Sequence, residues 1–150
     1  MDERLIGSKV AMTTTNGTLS IQKAKAGAVK VLVGAFLNLG ALANYLRTEP
    51  YDIIVLCAGW KGRPNLEDTL FAGALADELK NEYTLSEDSA LMAHRLYCQS
   101  KDNMLSFIAN SSHVKRLQRL GIQKDIAYAL QRDLYDIVPV LRGNTLVPIS

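Results

Sequence analysis

The stretch Asp52-Ile-Ile-Val-Leu-Cys-Ala-Gly-Trp-Lys-Gly-Arg-Pro-Asn-Leu-Glu-Asp-Thr69 passes from an apolar block through a polar turn into a helix start. Ile53 to Cys57 is near-continuously apolar, the pattern of a strand in a parallel sheet covered on both faces. Leu66 to Lys80 carries Leu70, Phe71, Ala74, Leu75 and Leu79 on one side, the pattern of an amphipathic helix. Strand, turn and helix in that order make the repeating unit of an α/β fold. In such sheets ligands bind beyond the carboxyl ends of the strands, so chemistry is expected in the turn between.

The same unit recurs upstream. Lys9-Val-Ala-Met12 is a short apolar run, followed by the turn Thr13-Thr-Thr-Asn-Gly-Thr18 and a helix from Leu19 to Ala26, which Gly27 ends. Val29-Lys-Val-Leu-Val33 reads as a strand. Asn38 can cap a helix whose apolar positions Leu39, Leu42, Ala43 and Leu46 share one face, and Pro50 stops it. The second half is mostly helical. Thr84-Leu-Ser-Glu87 predicts a capping box opening a helix to about Tyr97, with further helices over Asp102 to Ala109 and His113 to Leu120. Ile137 to Leu141 and Thr145 to Val147 read as closing strands around a Gly143-Asn144 turn, with Pro139 putting the first at a sheet edge. The expectation is one domain over residues 1–150. Its fold would be three-layer α/β, a mostly parallel sheet with helices on both faces, a helical second half and closing C-terminal strands.

Composition narrows the function classes. The 150 residues are 48% hydrophobic and 21% charged, near the globular average, which argues against disorder. A net charge of +2 gives no case for nucleic acid or an anionic membrane. Lys115, Arg116 and Arg119 read as one wet helix face. No apolar run is long enough to span a bilayer, and the N-terminus has no signal pattern, so a cytoplasmic address is expected. Cys57 and Cys98 form no Cys-x-x-Cys pair and read as reduced, buried thiols.

Two turns carry the candidate chemistry. In the first, Thr15, Asn16, Gly17 and Thr18 place hydroxyls, an amide and a glycine at a helix start, where free N–H groups favour an anion. The same residues also suit a plain helix cap. It is neither a Walker loop nor a dinucleotide fingerprint. In the second, Lys61 and Arg63 suit a phosphate or sulfonate, and Glu67 and Asp68 suit Mg²⁺. Alternatively Asn65 caps, the two acids complement the helix dipole and the cations are solvated. Cys57-x5-Arg63 matches the spacing of cysteine phosphatases, although a buried cysteine is usually inert. His94 shares a face with Ala90, Ala93 and Tyr97 and reads as a packed core histidine. His113, after Ser111-Ser112, can donate a proton, bind an oxyanion or serve in a cap. Asp133 and Asp136 have no spacing that assigns them a role.

Taken together, six motifs in order resemble the 2-phosphosulfolactate phosphatase family. They are Thr13 to Thr18, Val33-Gly-Ala-Phe-Leu-Asn38, Cys57-Ala-Gly-Trp-Lys-Gly-Arg63, Leu66-Glu-Asp-Thr69, Ser112-His113 with Arg116-Leu117, and Asp136-Ile-Val-Pro-Val-Leu141. The resemblance implies a Mg²⁺-dependent phosphohydrolase that releases phosphate from 2-phospho-3-sulfolactate, a step of coenzyme M biosynthesis. On that reading Glu67 and Asp68 serve the metal or acid–base work, with His113 in support. Thr15, Asn16, Gly17, Thr18, Lys61 and Arg63 bind a small anionic substrate. The resemblance also implies an N-terminal half with an acidic motif. The chain begins just before the Thr-Asn-Gly motif, so the pocket is expected to be incomplete in it. Pro64, Val114 and Ala129 depart from the family's usual choices. The alternative expectation is a truncated, non-enzymatic domain that binds an anionic metabolite or a protein partner. An incomplete sheet would expose an edge open to homo-oligomer formation.

Overall fold

The computed structural model describes residues 7–121 and 123–149. Seven α-helices and one hairpin follow in chain order among them: α1 (Gly17–Lys25), α2 (Leu39–Arg47), α3 (Leu66–Glu78), α4 (Asp88–Ser100), α5 (Met104–Ile108), α6 (Ser112–Arg119), α7 (Gln123–Ala129), β1 (Val138–Arg142) and β2 (Thr145–Ile149).

The helices with a clear apolar face form as the sequence predicts. Leu39, Leu42, Ala43 and Leu46 of α2 are all buried, as are Leu70, Ala74 and Leu75 of α3. They meet Tyr97, Ile108, Val114, Ile126 and Val138 in one core. Helices α3 and α4 pack closest at Gly73, where a Cβ would stand only 2.1 Å from the Ala93 carbonyl oxygen. Only glycine permits that approach. Helix α4 opens at Asp88 rather than at the Thr84-to-Glu87 box, and its cap residue Glu87 makes no side-chain cap bond. The chain also carries α7, which the sequence reading did not separate from its surroundings.

The sheet differs from the expectation. Among the described residues the named strands are β1 and β2, an antiparallel pair running from Val138↔Ile149 to Arg142↔Thr145. The segment Val31–Val33 joins β1 on its other side, also antiparallel. Val33 N–H donates to the Pro139 carbonyl at 2.9 Å and Leu141 N–H to the Val31 carbonyl at 2.9 Å, around a Leu32↔Val140 bridge. Residues 8–14 and 52–59 have no strand pairing. The chain is therefore α/β in composition, but a three-layer parallel sheet is not formed among the described residues. The apolar run 53–57 lies largely open, with Ile54 90% and Leu56 49% exposed, and Met12 is 79% exposed. A buried strand needs neighbours on both sides, and an apolar run cannot supply them by itself.

Pro139 is not at an edge, because β1 is flanked on both sides. A proline inside a sheet removes one ladder donor. The buried amide of Asn38 supplies it instead: its Nδ2 donates to Val33 O at 3.3 Å and to Ile137 O at 2.9 Å. Its Oδ1 accepts from Ala35 N–H at 2.8 Å. Asn38 is thus committed to the backbone around it and makes no side-chain cap bond to α2. Asp133 takes part of that role from across the chain, its Oδ1 accepting the Gly40 N–H at 2.6 Å in the first turn of α2. This is the role of Asp133 that its sequence position left unassigned.

Candidate active site

The turn after residues 53–57 is built on a tight reversal. Trp60 N–H donates to Arg63 O at 2.9 Å and Arg63 N–H to Trp60 O at 3.0 Å. The two residues between, Lys61 and Gly62, have φ of 50° and 73°. Positive φ at both central positions is what a type I′ reversal requires. Lys61 has a Cβ and therefore sits there under some strain. Gly59 also has positive φ, and a Cβ on it would lie 2.4 Å from Arg63 O. Asp68 fastens this loop to α3, its Oδ2 accepting the Gly59 N–H at 2.6 Å.

Other elements converge on the loop. Asn16 does not cap α1 with its side chain; its Oδ1 accepts the Lys61 N–H at a long 3.4 Å. Thr14 and Thr18 are occupied with each other, each hydroxyl accepting the other's N–H, at 3.1 and 3.2 Å. Gly17 opens α1, and Thr15 is exposed. On the far side, Ser111 caps α6 by accepting Val114 N–H at 3.1 Å. One turn into that helix, His113 and Arg116 share a face. The Arg116 guanidinium lies 3.9 Å from the centroid of the Trp60 ring, and Lys61 Nζ lies 5.9 Å from the same ring. Cation–π attraction of this kind is worth about 0.5–1 kcal/mol at a partly exposed site. Arg116 therefore belongs to the loop cluster and not to a wet face, while Lys115 and Arg119 are exposed as expected.

Arg116 Nη2 also contacts His113 Nδ1. Glu67 Oε1 lies 3.4 Å from the same Nδ1. Both carboxylate oxygens of Glu67 are buried and accept no hydrogen bond among the described residues. A buried carboxylate without donors is costly unless a cation completes it. Asp68, next to it, is already bonded to the loop.

The remaining sequence candidates separate. Arg63 is exposed at the rim of the reversal, and no bond of its side chain is present among the described residues. Cys57 is exposed rather than buried, and its thiol donates to Asp68 O at 3.5 Å. Desolvation first, and the nearby Asp68 charge second, push that thiol above its ordinary pKa. A nucleophilic thiolate needs the opposite shift, so the cysteine-phosphatase spacing does not make a cysteine nucleophile here. The sequence reading missed Trp60 and the site role of Arg116. Their signals were the lone tryptophan inside the turn and the i, i+3 spacing of His113 and Arg116.

The loop side thus brings Lys61, Arg116 and the Trp60 ring together, with His113 joining Arg116 to Glu67. The chain belongs to the 2-phosphosulpholactate phosphatase family, whose profile matches residues 1–144. Proteins named probable 2-phosphosulfolactate phosphatase resemble it in sequence. That of Thermotoga maritima is 40% identical over 146 residues, which is 97% of this chain and 62% of the relative. That of Caldanaerobacter subterraneus is 35% identical over 143 residues, 95% of this chain and 59% of the relative. That of Synechocystis is 34% identical over 141 residues, 91% of this chain and 58% of the relative. The chain thus spans about 60% of the length of these relatives. Among the described residues no helix is long and apolar enough to cross a membrane.

Proposed function

We propose that this chain carries the loop cluster of a cytoplasmic, Mg²⁺-dependent phosphohydrolase that releases phosphate from 2-phospho-3-sulfolactate, as in coenzyme M biosynthesis. The observation that carries this reading is Glu67, whose two buried oxygens accept no hydrogen bond among the described residues. Hard oxygen donors of this kind fit Mg²⁺, which is usually held by one or two carboxylates together with substrate phosphate. Glu67 would hold the ion directly, with Asp68 Oδ1 beside it while Oδ2 keeps the loop in place. The ion would supply charge neutralisation at the phosphoryl oxygens.

The substrate carries a phosphate, a sulfonate and a carboxylate. Lys61, Arg63 and Arg116 are the cations available to them, with Asn16, Gly17, Thr15 and Thr18 lining the neighbouring turn. Arginine suits a forked oxyanion and lysine a point contact. His113, in contact with Arg116 and 3.4 Å from Glu67, is placed to hydrogen-bond an oxygen of the substrate through its ring. Nucleic acid and membrane have no part in this reading.

The three-layer parallel sheet belongs to the same proposal. Val10, Met12, Ile54, Val55 and Leu56 are apolar and exposed here, and strands supplied by the rest of a family-length protein would cover them. Without that cover the same surface favours association of copies. The test is Mg²⁺-dependent phosphate release from 2-phosphosulfolactate, measured on this chain alone and on the chain mixed with the remaining part of a relative. Release that appears or rises on mixing supports the reading. No release from either preparation overturns it.

A further inference from the structure

Away from the loop cluster, α3 and α4 bring three metal-binding side chains together. Asp77 on α3 and His94 and Cys98 on α4 offer Oδ1, Nε2 and Sγ, all within 4.8 Å of one another. Asp77 lies ten residues beyond Glu67 on the same helix, about 15 Å along its axis. The site is thus separate from the candidate active site.

His94 Nε2 faces both of the other side chains. Asp77 Oδ1 lies 3.1 Å from it and Cys98 Sγ 3.4 Å from it. One ring nitrogen either donates to the carboxylate or accepts from the thiol; it does not do both. A tetrahedral ion bound at about 2.0–2.3 Å holds neighbouring ligand atoms about 3.3–3.8 Å apart. The two spacings lie close to that range. His94 and Cys98 are four residues apart on one helix face, and each of the three side chains is half-buried. The thiolate and imidazole favour a borderline-soft ion over Mg²⁺.

We propose that Asp77, His94 and Cys98 form a three-ligand site for Zn²⁺ or a similar divalent transition metal, with a fourth position left to water. The ion cross-links α3 to α4 one helical turn along from the Gly73 contact. Two cations oppose it: Lys80 Nζ lies 3.1 Å from Asp77 Oδ1 and Lys101 Nζ 3.9 Å from Oδ2. Both lysines are exposed and swing away when the ion enters. Binding releases the Cys98 proton to solvent.

The test is Co²⁺ titration of the intact chain, read by the thiolate-to-cobalt absorption band, with Zn²⁺ competition and the melting temperature as second readouts. One equivalent of Co²⁺ should produce the band, Zn²⁺ should bleach it, and Zn²⁺ should raise the melting temperature. Cys98→Ser should abolish the band and weaken Zn²⁺ binding at least about tenfold. Cys57→Ser should leave both unchanged. Lys80→Gln should tighten binding by up to about fivefold, the ceiling for losing one exposed ion pair. Absence of a band with no Zn²⁺-dependent melting shift overturns the proposal, as does a band that survives in Cys98→Ser. None of these readouts depends on phosphatase activity.

Discussion

The loop side and the α3–α4 pair of this molecule are opposites. The first has polar turns, an unpartnered carboxylate at Glu67 and bare apolar residues such as Ile54. The second has close backbone packing at Gly73, buried Leu70, Ala74 and Tyr97, an ion pair joining Arg132 to Glu78 at 2.6 Å and a hydrogen bond between His94 and Asp77 at 3.1 Å. The difference separates two tasks. Stability is concentrated where helices cover one another. The loop side leaves Ile54, Val55 and Leu56 uncovered and the Glu67 oxygens buried without a hydrogen bond.

Substitutions should obey this division. The largest effect is expected at Glu67. Glu67→Gln should lower phosphate release about a hundredfold or more. It should leave the melting temperature of the metal-free chain unchanged or higher, because it removes a buried carboxylate that nothing bonds. A loss of both activity and stability would erase the contrast. Next comes Gly73→Leu, whose side chain meets the Ala93 carbonyl and Tyr97. A cost of about 3 kcal/mol is expected from denaturant unfolding. A smaller effect is expected in acid. Asp77 is held below the ordinary carboxylate pKa, first by its bond to His94 and then by Lys80. The stability this gives is present above the unfolded value near pH 4 and is lost as pH falls through the folded one. Asp77→Asn should therefore flatten the acid limb of the stability profile, measured by melting between neutral pH and pH 3. The smallest effect is expected at Ile54, which is 90% exposed. Ile54→Ser should change the stability of this chain by less than about 0.5 kcal/mol. It should nonetheless weaken association with the remaining part of a relative, read by light scattering.

Legibility in the sequence follows the same line. The faces of α2 and α3 were readable because a helix fixes its own periodicity, and Leu39, Leu42, Leu70 and Ala74 are buried as predicted. Of the candidate residues read from the turns, the structure brings Lys61, Glu67, Asp68 and His113 into one connected group. What depended on partners distant in the chain was not readable. Ile53 to Cys57 has the composition of a buried strand, but burial requires neighbours. His94 and Cys98 are half-buried beside Asp77 rather than packed in the core. Arg116 reads as solvated until Trp60, 56 positions away, is placed against it. The capping of α2 by Asp133 and the engagement of Asn38 with Ile137 bridge 93 and 99 residues.

That last bond has a kinetic consequence. Asn38 reaches Ile137 only when residues 99 positions apart have met. Closing so long a loop carries a large entropic barrier, whereas α3 and α4 are near neighbours in sequence. The helical pair should therefore form early in folding and the Asn38 junction late. Asn38→Ala, at a cost of about 2 kcal/mol, should accelerate unfolding while hardly slowing refolding. The junction is a latch that sets how long the folded state lasts, not how fast it is reached.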